Sequence, residues 1–252
     1  MTSETPLFTY TLRLADTALV LGHRLSEWNA LAPTLEEDIA LANLALDLIG
    51  QARLFYDYAG KVEGKGRDED ALAYLRDDRE YGNLLLVEQP NGDFAQSMMR
   101  QFLFSAFALP YYTALMGSKD ETLAAIAAKA EKEMAYHLRH SGEWVIRLGD
   151  GTDESHRRTQ VALDELAIYI GEFFAVDAIE QALIDAGIAP DPAKIRAEFE
   201  ATLAHVFSEA TLIMPKAGYA QTGGKQGQHT EHLGHLLAEM QVLHRAHPGA
   251  TW

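Results

Sequence analysis

With ten histidines, 37 carboxylates and no cysteine, this 252-residue chain could hold a metal only through imidazole and carboxylate ligands. A carboxylate-bridged di-iron centre in a helix bundle takes Glu-x-x-His from each of two helices. Residues i and i+3 share one helix face and can hold one edge of the metal pair. Residues 129–140, KAEKEMAYHLRH, carry that pattern with its acid exchanged. His137 stands three places after Met134, a soft thioether where iron prefers oxygen. No histidine in the chain has Glu at −3, and the single Asp there is Asp153 before His156, in a Gly/Asp/Thr stretch that reads as a loop. Asp47-Leu-Ile-Gly50 has the spacing of a second edge, with glycine in the place of histidine. Asp47, Gly50, Glu133, Met134 and His137 therefore read as the remnant of a metal site, and no catalytic or cofactor-binding residue is assigned.

The ordinary readings weigh more than the chemical ones. His137, with Glu133 one turn before it and His140 beside it, reads as a core histidine satisfied by a neighbour. Asn43, Asp47 and Gln51, four apart, read as a buried polar network. The densest ligand set is His229-Thr-Glu-His-Leu-Gly-His235, but a zinc site needs a distant third ligand that the sequence does not supply. Polar docking of a terminal helix fits it better. Gly223-Gly-Lys-Gln-Gly227 offers amides and a lysine to a phosphate, although it is not a Walker sequence and no strand precedes it. The glycine-rich segment 218–227 and the His-rich terminal helix suit a partner surface. The contact candidates are Arg53, Lys225, His229, Glu231, His232 and Arg245, of which Arg53, Lys225 and Arg245 are local basic spots.

A net charge of −16 repels phosphate backbones and anionic membrane surfaces, so nucleic acid and lipid are poor partners for the whole chain. The most apolar window, 102–116, is shorter than the roughly 20 residues that span a bilayer and contains Pro110. The start, MTSETP, shows no basic region followed by an apolar one. These features predict a cytoplasmic protein, and 48% apolar residues suffice for one domain over 1–252.

Helix caps then punctuate the chain. Thr5-Pro6 predicts a helix over 7–29, in which Leu12, Ala15 and Leu19 keep helical spacing. Thr34-Leu-Glu-Glu37 is a capping box opening a helix to about 62. That helix carries two apolar stripes, one with Leu35, Ile39, Ala42, Leu46 and Ile49 and one with Leu41, Leu44, Leu48 and Phe55. So wide an apolar arc predicts a central position. Asp93 caps a helix that Pro110 should kink. Ser118-Lys-Asp-Glu121 opens the helix with Leu123, Ala127, Ala130, Met134, His137, Ser141 and Val145 on its inner face. Further helices follow from about 153, 191 and 230. No strand alternates, so the class is all-α.

Four blocks in this order, 10–16 (YTLRLAD), 38–53 (DIALANLALDLIGQAR), 83–92 (NLLLVEQPNG) and 222–234 (TGGKQGQHTEHLG), resemble the C-component branch of the ring 1,2-phenylacetyl-CoA epoxidase (phenylacetate-CoA oxygenase) family almost end to end. The resemblance implies a ferritin-like helical bundle with additional C-terminal helices. It also implies a structural subunit of a multicomponent monooxygenase in aerobic phenylacetate degradation. The catalytic A component of that epoxidase would carry the di-iron centre and epoxidise the aromatic ring of phenylacetyl-CoA. This chain would pair with it and with the smaller B component. FAD and an iron–sulfur cluster would belong to the reductase, no cofactor to this chain, and the isolated chain could form a homodimer. The alternative is a metal-dependent oxygenase or hydrolase in its own right, built on His137, Asp47, Glu133 and further carboxylates.

Overall fold

The computed structural model describes residues 5–216 and 218–250. Its helices are α1 (Pro6–Ser26), α2 (Leu35–Glu63), α3 (Glu69–Tyr74), α4 (Leu85–Glu88), α5 (Phe94–Leu115), α6 (Glu121–Gly149), α7 (Asp153–Leu166), α8 (Ile170–Phe173), α9 (Ala178–Ala186), α10 (Arg196–Glu209) and α11 (Glu231–Ala246). No strand occurs among the described residues, so the class is all-α as expected. The fold divides into two compact units, Met1–Pro90 with Gly223–Trp252, and Asn91–Thr222.

The first unit is built on α1 and α2. Thr5 accepts the amide of Phe8 at the start of α1, and Thr34 accepts that of Glu37 at the start of α2, answering amides that a helix N-terminus leaves unpaired. The two helices pack along each other and approach closely at Gly22, where a Cβ would lie 3.0 Å from Ile49 Cγ1. Leu41, Leu44, Leu48 and Phe55 of α2 are fully buried. The other stripe is covered only at one border: Ala42 and Ile49 are half-buried, while Leu35 is 72% exposed, Ile39 55% and Leu46 66%. The wide apolar arc thus reflects two faces, of which this chain covers one. The single turn α4 lies in the apolar run after Asn83, and α11 packs on α1 and α3.

The second unit is built on α5 and α6, with α7 and α10 against them. Asp93 caps α5, which runs on through Pro110. The cap of α6 is Asp120, whose side chain accepts the Leu123 amide, rather than the predicted Ser118. Ser118 Oγ instead donates to Ile188 O and accepts from Asp120 N, fastening the loop below. Asp153 and His156 lie on α7, not in a loop, because Thr152 and Ser155 form a capping box that starts the helix there. Phe107 stacks on Phe173 at 4.7 Å between centroids, and Phe199 meets Phe173 edge-on.

Candidate functional site

All seven residues of the predicted inner face of α6, from Leu123 to Val145, are buried. Met134 and His137 therefore sit where a Glu-x-x-His edge would point inward. Gln101 of α5 places its Nε2 at 3.2 Å from His137 Nδ1 and at 3.1 Å from Ser105 Oγ. With the amide nitrogen turned toward the ring, Nδ1 is the acceptor of this bond. Ser141 Oγ donates to the His137 carbonyl at 2.7 Å. Glu133 is half-buried and lies 3.6 Å from Lys129, and its charge joins burial in raising the Tyr112 phenol well above its ordinary value, burial being the larger cause. These residues do not fit a di-iron pair: a thioether replaces the carboxylate, and one imidazole nitrogen is engaged by an amide. Among the described residues no group of three or more His, Asp or Glu side chains is placed to hold a metal ion.

The other remnant pair lies on α2. Asp47 is half-buried rather than buried, and a Cβ at Gly50 would meet nothing within 4 Å. Asn43 is exposed and Gln51 buried, so the polar row winds from solvent into the interior of its unit and is no buried network. The physical reason is geometric: a four-residue repeat advances about 40° per step beyond a full helical turn and leaves any one face.

The first unit has a polar core that the sequence reading does not single out. Asp16 of α1, fully buried, accepts Tyr56 Oη at 2.6 Å, Gly82 N at 2.8 Å and Arg76 Nη1 at 3.1 Å, with Arg76 Nη2 on its other oxygen. Arg76 also donates to the carbonyls of Leu72 and Glu80 and lies 4.3 Å from the Tyr81 ring centroid. Burial opposes the Arg76 charge, but Asp16 outweighs it, and the guanidinium is held more firmly protonated than usual. Burial and then Asp16 push the Tyr56 phenol up. A pair this enclosed needs all its bonds, and here both partners have them. The available signal was Asp16 standing beside Ala15 and Leu19 in an apolar stripe.

A second buried carboxylate ties the C-terminal segment to the body of this unit. Glu88 Oε1 accepts Thr230 N at 2.6 Å and Thr230 Oγ1 at 2.7 Å, and Oε2 takes Asn83 Nδ2 at 2.9 Å and His229 Nδ1 at 2.8 Å. His229 Nε2 faces the Tyr81 carbonyl at 2.9 Å. A carbonyl can only accept and a carboxylate accepts likewise, so the doubly protonated ring is the form of His229 that satisfies both contacts at once. Burial lowers its pKa, but the bonds to Glu88 and Tyr81 more than offset this, and the net direction is upward. Arg24 donates to the carbonyls of Glu88 and His232, closing the same joint. The glycines before it are needed for contact: a Cβ at Gly224 would lie 2.3 Å from Asn83 O, and Gly227, at φ 74°, would place one 2.3 Å from Arg79 O.

The contact candidates consequently separate. His229 is internal, its side chain 4% exposed, because it is the partner of Glu88. Arg53 is outward and pairs with Glu69 at 3.1 Å, and Glu231 is exposed. Arg245 donates to Arg76 O at 2.8 Å and to Asp77 at 3.0 Å, while His232 and Lys225 are half-buried. Within the glycine-rich segment 218–227, Gly223 and Gly224 are buried, while Gly218, Tyr219, Ala220, Thr222 and Gln226 are exposed.

The chain is 52% identical, over 246 residues, to the C component of the 1,2-phenylacetyl-CoA epoxidase of Escherichia coli (strain K12), covering 98% of this chain and 99% of that relative. Residues 1–252 match the family described as Phenylacetic acid catabolic protein. The block 83–92 supplies Asn83 and Glu88, the block 222–234 supplies His229 and Thr230, and the two are bonded to each other. On a match that spans the whole chain, this protein belongs to the phenylacetic acid catabolic protein family.

Proposed function

We propose that this chain is the non-catalytic structural subunit of a cytoplasmic, multicomponent 1,2-phenylacetyl-CoA epoxidase. It pairs with the di-iron A component, contacts the B component, and leaves flavin and iron–sulfur chemistry to a reductase. The name of its relative supports the assembly, and the exchange of carboxylate for Met134 supports the division of labour. The main support is the outward stripe of α2. Leu35, Ile39 and Leu46 share one face within about 40° of each other and stand more than half exposed. No helix of the described residues is long and apolar enough to cross a membrane. Apolar contacts would also let a chain of net charge −16 bind a partner without opposite charge.

The double variant Leu35→Glu/Leu46→Glu changes only outward side chains, so it should keep the melting temperature of the native chain. It should lose co-purification with the di-iron component and lower epoxidation by the reconstituted complex in proportion. Normal co-purification and turnover by the folded double variant would refute the α2 interface.

A further inference from the structure

We infer that the first unit carries a pocket for a phosphate-bearing anion, in front of the Asp16–Arg76 pair. Its walls bring together Arg13, Arg67, Arg76, Arg79 and Lys225. The lining carboxylates are two, and each is already engaged. Asp16 is held by Arg76 and Tyr56, and Glu80 accepts the Asp77 amide at 2.8 Å. Arg76 spends its N–H groups on Asp16, Tyr56 and two carbonyls, and Arg67 pairs with Glu63, so the excess positive charge of the pocket rests on Arg13, Arg79 and Lys225. A chain with 37 acidic and 21 basic residues thus reverses its sign inside one concavity, where low-dielectric walls focus a field that elsewhere repels anions.

The pocket is assembled by close backbone approach. Gly82 lets the Arg13 stem pass where a Cβ would lie 2.9 Å from its Cγ, and Gly227 brings the turn 224–227, with Lys225, against the carbonyl of Arg79. Residues from α1, the loop after α2, the turn after α3 and the glycine-rich segment thereby converge on one volume of about 230 Å³. That is room for several waters at about 30 Å³ each, but less than the roughly 300–1,000 Å³ of pockets that enclose drug-sized ligands. It suits one phosphate group, whether free or at the end of a larger molecule. Guanidinium forks match phosphate oxygens two at a time, and a lysine adds a point charge. The reading does not depend on the subunit role proposed above.

The test is phosphorus NMR and calorimetric titration of the full native chain with inorganic phosphate and with adenosine 3′,5′-bisphosphate, each at constant ionic strength set with chloride. Saturable binding of either, weakened about tenfold or more in Arg79→Ala/Lys225→Ala and unchanged in Arg158→Ala on the second unit, is expected. Arg79 is exposed, so Arg79→Ala alone should melt as the native chain does in chloride and should also weaken binding. Tighter binding of the bisphosphate would assign the pocket to a nucleotide-borne phosphate, and equal binding to free phosphate. No saturable binding of either probe, or binding that the double variant leaves intact, would overturn the site. So would capture of a carboxylate-rich peptide in preference to both.

Discussion

A carboxylate sealed from water is tolerated only when its lone pairs are answered, and Glu88 meets that condition with four donors. Removing it strands the His229 charge, so Glu88→Ala should cost about 3–5 kcal/mol in a urea titration, the usual loss when one partner of a buried pair is deleted. Glu88→Gln should cost less, since it keeps the shape; an unchanged urea midpoint for the alanine variant would rule out the joint. The pH dependence follows from the sign. His229 holds its proton to higher pH when folded, so its contribution is complete below about pH 6.5 and fades as pH rises through the folded value. His23, pushed down by burial, acts oppositely and loses its contribution as pH falls. The difference in melting temperature between native chain and His229→Gln should therefore shrink from about pH 6 to alkaline pH; a constant difference would contradict the charged pair. Met134, fully buried, has no space for a charge, so Met134→Glu should destabilise the fold rather than restore a ligand. Gly50 is the reverse case: with nothing near its absent Cβ, Gly50→Ala should raise stability by about 1 kcal/mol, read as roughly 2–4 °C in melting temperature.

At the scale of the element, the last helix belongs to the body of its unit. Leu233, Leu236 and Leu237 of α11 are buried, and Gln241 donates to the carbonyls of Ala73 and Arg76. Deleting everything from Gly223 should consequently open the first unit to protease, with cleavage mapping by mass spectrometry to α1–α3, while α5–α7 stay protected. Equal protection of both units after deletion would show that α11 is dispensable. Loss of partner binding on such a deletion would report unfolding, which is why substitutions on the outward stripe of α2 are the cleaner probe of assembly.

For the whole molecule, the remnant of a metal site makes a prediction about composition. The purified chain should hold far less than one iron per molecule, by elemental analysis, after anaerobic loading, oxidation and desalting. Stoichiometric iron with an oxo-bridge absorption band would revive the oxygenase alternative built on His137, Asp47 and Glu133. Association through an apolar face should persist at high salt, where screening removes surface ion pairs. Dissociation of the complex between low and high salt would instead assign it to charges such as Arg53 and Glu231.

Local rules are enough to read the all-α class, the caps at Thr5, Thr34 and Asp93 and the whole inner face of α6, because each depends on residues within two or three turns. The exchange of acid for Met134 is legible for the same reason. The partners of Asp16 and Glu88 are not, since Arg76 lies 60 residues from the first and His229 141 residues from the second. Nor can periodicity say which stripe of α2 will be covered: Leu41 and Ile39 are equally apolar, and only packing against α1 buries one and leaves the other in solvent. Sequence alone places His229 at the surface, because hydrophilic residue types are exposed unless a buried counter-group recruits them. That group, Glu88, is brought to His229 by the tertiary fold alone.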